Sequence, residues 1–274
     1  MIMPKTELLK IDTYKPELFP DLIERVWIAE NVENEVELVI PPNQYVNLII
    51  PLENSRYKRN NIWMDIPQIE GISIKNTILI YPAKTKLIGV RFFAFGLFPF
   101  IQTSGKELIN NSLNYSLTDE LTNIDKSIDN YNNAIIEGVY EVLRAIFCQK
   151  FYDTIIPIMN FYNQYRWTEE TYSIEEYCKK INTNYTSLNR NFTKIIGITP
   201  KRFERLIKFR KSLCSLIDSN DKLTVIGFNS GYFDQAHFVR EFKMFLNQTP
   251  SNYKKIIREA DKESRIINYN FKLF

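Results

Sequence analysis

Short apolar runs separated by turn residues dominate residues 24–93. Val36–Ile40, Tyr45–Leu52 and the runs 78–81 and 87–93 are rich in Val, Ile, Tyr and Phe, and Pro41-Pro42-Asn43, Glu53-Asn54-Ser55 and Pro82-Ala83 punctuate them. Such residues fit a pleated, half-buried surface, and strands this short and closely spaced predict a small β-barrel or sandwich. After Gly96 the period changes. From residue 119 to about 165 apolar residues recur at three and four positions, and Ile135, Val139, Val142, Leu143, Ile146 and Phe147 form one helical stripe. That stripe serves either as core or as a dimer seam. Pro157 marks a break or the first turn of a second helix, with Ile155, Ile158, Met159 and Tyr162 around it. The polar, aperiodic stretch 165–172 predicts a linker after a first domain of residues 1–164.

The last third of the chain contains one unit twice. Leu188-x-Arg190-x-Phe192, Thr199-Pro200 and Phe203 return fifty residues later as Phe238-x-Arg240-x-Phe242, Thr249-Pro250 and Tyr253. A repeated unit must be a supersecondary element with its own start, packing face and stop. The first copy, 173–196, opens on Ser173-Ile174-Glu175-Glu176, a capping box in which the Ser side chain and Glu176 satisfy early backbone N–H groups reciprocally. Ile174, Tyr177, Cys178 and Ile181 then share a face, and Asn182-Thr183-Asn184 turns the chain. The next helix buries Leu188, Phe192 and Ile195, leaving Thr186, Ser187, Asn189, Arg190 and Lys194 off that stripe. A donor-rich polar face of this kind suits base edges and phosphates in a major groove.

Thr199-Pro200 is a helix entry, with Thr capping and Pro at the first helical position. The helix predicted over 200–217 would span about 27 Å, enough to hold two small units nearly one DNA turn apart. In the second copy, 222–246, Leu223, Ile226 and Gly227 form the first helix and Gly231-Tyr232 its turn, one residue longer than before. Asp234 caps the next helix, which buries Phe238, Phe242 and Phe245 and leaves Gln235, His237 and Arg240 outward; these three and Asp234 are the DNA-binding candidates of the second copy. Gly227 costs roughly 1 kcal/mol against Ala inside a helix, so it serves close helix packing. Both copies read as helix-turn-helix units, followed by a tail at 261–274.

Charge is split rather than balanced. Residues 1–162 carry 15 Lys+Arg against 20 Asp+Glu, and residues 163–274 carry 20 against 12. A basic excess of +8 on a small helical module favours a polyanion, double-stranded DNA above all, through phosphate contacts and counterion release. Three widely spaced cysteines, Cys148, Cys178 and Cys214, fit a reducing compartment. The one histidine, His237, leaves residues 1–162 without any, which argues against a histidine-based metal site or a Ser/His triad there. No Gly-rich phosphate loop or nucleophile elbow occurs. No cofactor, no metal and no enzymatic activity are expected. The longest apolar stretch, 87–101, is interrupted by Arg91 and Pro99, and no signal-peptide pattern follows Met1, so a cytoplasmic protein without a membrane span is expected.

Leu223-x-x-Ile226-Gly227-x-x-x-Gly231-Tyr232-x-Asp234-Gln235-x-His237-Phe238-x-Arg240-x-Phe242-Lys243, closing with Thr249-Pro250-x-x-Tyr253, resembles the C-terminal signature of the AraC/XylS family of bacterial transcription regulators nearly position for position. Gly197-x-Thr199-Pro200 and Leu188-x-Arg190-x-Phe192 match it more loosely, and Arg205-Leu206 and Arg210 fit its linker helix. Departures are Phe209 and Gly227, where Ala is usual, and Phe233, where Ser is common. The resemblance implies a DNA-binding domain over 173–260, with Thr186, Asn189, Arg190, Gln235, His237 and Arg240 at DNA-facing positions. Pro42-Asn43-Gln44-Tyr45-Val46-Asn47-Leu48-Ile49 and Leu87-Ile88-Gly89-Val90-Arg91-Phe92 are similar to the uncharacterised cupin-like β domain that precedes this module in many such regulators.

The expected whole is an α+β chain of two domains: a β-barrel or sandwich with a helical pair, then an all-α module of two helix-turn-helix units on one linker helix. The resemblance implies a transcription regulator. Two roles stay open for the N-terminal domain, sensing of a small-molecule effector or an oligomerisation scaffold, in which case Phe92, Phe93, Phe95, Phe98 and Phe100 are core or interface rather than pocket. A homodimer is a candidate assembly, and RNA polymerase a partner if the protein activates transcription.

Overall fold

A computed structural model describes residues 9–116, 131–167 and 173–262. Its first half is built from two antiparallel sheets. The larger has the order β1-β2-β9-β4-β7-β10, formed by Lys10–Tyr14, Ile23–Asn31, Thr85–Phe93, Tyr45–Leu52, Gln68–Glu70 and Ser112–Asn114 respectively. The smaller has the order β3-β8-β5-β6, formed by Val36–Ile40, Thr77–Tyr81, Tyr57–Arg59 and Ile62–Met64. The sheets face each other as a sandwich and do not close into a barrel.

Period-two alternation sorts the large sheet into two buried faces. Trp27, Ala29, Ile49 and Leu87 point between the sheets, where they meet Leu38, Tyr57, Leu79 and Tyr81. Val26, Ile28, Leu48, Ile50, Ile88, Val90 and Phe92 point the other way, onto the helices. A strand covered on both faces cannot alternate apolar with polar, which is why β9 reads as an almost continuous apolar run. Gly89 is required within it, since a Cβ there would lie 2.0 Å from the Trp27 ring.

The helical face is an aromatic junction. Phe92, Phe93, Phe95, Phe98 and Phe100 are all buried, and they meet a short helix α1 (Gly105–Leu108) and the pair α2 (Tyr131–Ile146) and α3 (Gln149–Trp167). Phe98 stands edge-on to Phe151 at 5.6 Å, and Phe93 and Phe95 both contact Tyr162. The predicted stripe of α2 is core within this chain: Val139 is 1% exposed and Val142 7%. A dimer would have to use another surface.

Pro157 neither breaks the helical pair nor starts its second member; it sits inside α3. The break falls at residues 147–148, where the Cys148 N–H donates to the Pro99 carbonyl at 2.9 Å and the Cys148 carbonyl accepts from Phe151 and Tyr152. The turn after β9 has captured the amide that would have continued α2. α3 runs through Trp167, so the first positions of the expected 165–172 linker are helical, the Tyr165 ring resting on Phe161 at 5.4 Å. Residues 168–172, the remainder of that linker, lie outside the described residues, as do 119–130 and most of the expected tail.

The second half is helical: α4 (Ile174–Lys180), α5 (Tyr185–Ile195), α6 (Pro200–Asp218), α7 (Leu223–Asn229), α8 (Gln235–Leu246) and α9 (Pro250–Lys262). Its core is continuous with the aromatic junction, through Phe161–Phe192 at 5.2 Å and Tyr162–Phe203 at 6.1 Å.

Candidate nucleic-acid interface

The first copy is α4, a turn at residues 181–184, and α5. Both capping-box bonds form, Ser173 N–H to Glu176 Oε2 at 2.8 Å and Glu176 N–H to Ser173 Oγ at 3.2 Å. Asn182 takes φ +50° in the turn, and Asn184 caps α5 by accepting from the Ser187 N–H at 2.9 Å. That cap was readable in the sequence, as an Asn directly before an apolar-periodic helix. Leu188, Phe192 and Ile195 bury the inner face as expected.

The outer face is less uniform. Thr186 and Arg190 are exposed, whereas Ser187 and Asn189 are half-buried, and the Asn189 Oδ1 is enclosed without a hydrogen-bond partner among the described residues. Lys194 stands at the other end of α5, its ammonium 5.8 Å from the Phe98 ring of the N-terminal half. Helical periodicity put Lys194 with the others. Lys194 is exposed, as Thr186 and Arg190 are.

The second copy is α7, a turn at 230–234, and α8. A Cβ on Gly227 would sit 3.2 Å from the Phe238 Cβ, so the glycine does permit a close helix crossing. Gly231 turns the chain at φ +81°. Asp234 accepts from the His237 N–H at 2.6 Å, which makes its carboxylate the cap of α8. Gln235 and Arg240 are exposed, and the Gln235 Oε1 accepts from the Thr224 hydroxyl at 2.8 Å, leaving its NH2 as the outward group. His237 stands edge-on to Tyr232 at 5.3 Å, with Nε2 4.0 Å from Glu241.

One long helix carries both units. Thr199 caps α6 by accepting from the Arg202 N–H, Pro200 occupies its first turn, and the helix runs nineteen residues from Pro200 to Asp218. At 1.5 Å per residue this is a rod of about 28 Å. Arg205 of α6 grips Glu241 of α8 through two bonds, Nε at 2.7 Å and Nη2 at 2.9 Å, a bidentate pair that sequence spacing alone did not reveal. Glu204 lies buried on the same rod between Lys208 at 2.7 Å and Lys201 at 3.1 Å. Burial alone would raise its carboxyl, but the two ammonium groups outweigh that and hold it below the ordinary value.

A short helix, a tight turn and a second, side-chain-capped helix with an outward polar face, twice over on one rod, is the geometry of a double helix-turn-helix. Residues 177–256 match the family described as "Helix-turn-helix domain". The carboxy-terminal module is a helix-turn-helix domain. Ahead of it, residues 15–114 match a domain of unknown function, DUF6597. An uncharacterised HTH-type transcriptional regulator of Haemophilus influenzae is 24% identical over 160 residues, 58% of this chain and 50% of that protein. YisR, an uncharacterised HTH-type regulator of Bacillus subtilis, is 25% identical over 96 residues, 35% of this chain and 33% of its own. The chain thus spans half or less of these relatives. ToxT of Vibrio cholerae O395 aligns over 92% of this chain and 98% of its own with a TM-score of 0.46 and 11% identity.

The helix-turn-helix domain does not stand apart from the β-rich half. Gly105, the first residue of α1, touches Gly197, the residue that ends α5 with φ +93°. A Cβ on Gly105 would lie 2.4 Å from the Gly197 nitrogen and 2.6 Å from the Ile195 carbonyl oxygen. The loop around α1 is in turn wired into the sandwich. Arg59 donates to the Asn110 carbonyl at 3.3 Å, the Asn110 Oδ1 accepts from the Ile74 N–H at 2.8 Å, and Gly71 abuts the Leu108 backbone. Arg59 pairs with the buried Glu70 at 3.6 Å, beside a cavity of about 30 Å³ that Arg91 also lines. Burial pushes the Glu70 carboxyl up, against the pull of Arg59 and Tyr57, and pushes the Arg91 guanidinium down to about 10. No group of three or more His, Cys, Asp or Glu among the described residues is placed to hold a metal ion, and no described helix is long and apolar enough to cross a membrane.

Proposed function

We propose that the chain is a sequence-specific DNA-binding transcription regulator in which α5 and α8 each enter a major groove and α6 sets their spacing. The observation that carries this reading is the pairing of two equivalent reading helices, exposing Arg190 and Arg240, on one continuous rod. Fragments selected from genomic DNA should contain two segments about 10 bp apart, one helical turn. Equal affinity for random duplexes at physiological salt would overturn the reading. Arg190→Ala and Arg240→Ala should each cost about 1–3 kcal/mol at the selected site and relax preference at one base, if the guanidinium reads that base. A uniform loss across sequences would reassign it to phosphate.

Thr186, Ser187 and Asn189, with Gln235 and His237, complete the proposed contact set. Lys194 and Asp234 stand at the edge of that set, both exposed, the one beside the Phe98 ring and the other also capping α8 through the His237 amide. For the N-terminal half, packing favours a docking scaffold over a sensor. Phe92, Phe93, Phe95, Phe98 and Phe100 are core, and a cavity of about 30 Å³ between the sheets has room for about two water molecules. A broad metabolite panel should leave the melting temperature of the full chain unchanged. A ligand that raises it at saturation would restore the sensing role.

A further inference from the structure

Phe233 is 91% exposed, an unusual position for a large apolar ring. It is not loosely placed. Tyr232 before it is buried, with its N–H donated to the Gly227 carbonyl at 3.0 Å and its ring against Phe238 at 5.4 Å. Asp234 after it is fixed as the cap of α8. A ring held between two anchored neighbours projects from the turn that leads into the reading helix, one residue ahead of its cap, with little freedom to fold back.

The N-terminal residues of a reading helix are those nearest the base edges when the helix lies in a major groove. Among the groups displayed there, the one apolar feature is the thymine C5-methyl. The neighbouring polar chemistry agrees. Asp234 is spent on the cap, and Gln235 has its carbonyl engaged by Thr224, so what flanks Phe233 is an amide donor, matched to an acceptor such as thymine O4.

We infer that Phe233 selects thymine in the half-site of the second unit, by packing its ring on the C5-methyl group. This rests on the proposed DNA-binding function and adds a contact outside the polar set assigned to that function. It makes the second unit a reader of shape and methylation as well as of hydrogen bonds.

Replacing each thymine of a selected site in turn by deoxyuridine removes only the methyl. Titrating the full chain against this series by fluorescence anisotropy, at one fixed salt concentration, should show one thymine where the loss weakens wild-type binding about fourfold, the worth of one buried methyl. Phe233→Ser should bind thymine and deoxyuridine equally at that position, and Phe233→Leu should keep part of the difference. The exposed position makes both substitutions neutral for folding. Unchanged methyl sensitivity in Phe233→Ser, or no sensitive thymine in wild type, overturns the inference while leaving DNA binding intact. Failure of wild type to prefer any site would instead overturn the function itself.

Discussion

The two helix-turn-helix units share a plan and differ in what holds them. The first is gripped from outside: Phe161 of α3 meets both Tyr177 and Phe192 at 5.2 Å, Tyr177 donates its hydroxyl to the Pro157 carbonyl, and Gly197 rests on Gly105. The second is held by its own module: Phe245 stacks on Phe209 of α6 at 4.5 Å, Phe242 meets Tyr253 of α9, and Arg205 clamps Glu241. Even the helix ends diverge, with Gly197 closing α5 and Asn247 closing α8, both in left-handed conformations. A polar Asn tolerates that conformation where nothing approaches, but only glycine also admits a second backbone against it. Among the described residues, the β-rich half and its helical pair therefore meet the first unit directly, and α6 links that unit to the second.

Phe161→Ala should break this asymmetry most severely. Removing a fully buried ring from the junction should cost about 3–5 kcal/mol. Hydrogen exchange should show the loss in α4 and α5 and spare α8. Equal loss of protection in both units would show that they unfold together and that the difference in anchoring has no energetic weight.

Gly105→Ala sharpens the comparison without touching the interior of either unit. The added methyl must push α1 away from the end of α5, at a cost of about 1–3 kcal/mol from overpacking. Footprinting should show altered occupancy at the half-site of the first unit alone. A change at the other half-site, or at neither, would mean that the contact transmits nothing.

The smallest effect concerns the shared rod. The folded-state pKa of Glu204 lies below its ordinary 4.5, so its contribution is present above that value and is lost as pH falls through the lower, folded value. Glu204→Gln should lower stability at neutral pH by about 1 kcal/mol and flatten that part of the acid limb in a melting-temperature profile. An acid limb identical to wild type would show that the two lysines do not stabilise the carboxylate.

What could be read in the sequence depended on whether the responsible contact was local. Val36–Ile40 and Tyr45–Leu52 were legible to the residue, because apolar runs end sharply at turn formers. The caps at Ser173, Thr199 and Asp234 were legible because a cap and its partner lie within one turn. Lys10–Tyr14 escaped, since a partly exposed edge strand leaves no run, and Ser112–Asn114 is too short to leave one. Pro157 misled because the break is set by the distant Pro99 carbonyl rather than by the proline. Within the candidate site, the outward faces of α5 and α8 followed from period, but the Phe98 ring near the exposed Lys194 comes from a segment far away in sequence. The exposure of Phe233 was foreshadowed only as a departure from the usual serine.

The meeting of Gly105 and Gly197 also places a fulcrum. α5 is eleven residues long, so its Tyr185 end, the one turned toward DNA in the proposed function, lies about 16 Å from the glycine that closes it. A tilt of a few degrees about Gly197 would carry that end by about 1 Å, more than the roughly 0.5 Å range over which hydrogen-bond lengths vary. A displacement too slight to disturb the packing of either half would then suffice to take the first unit out of register with its bases.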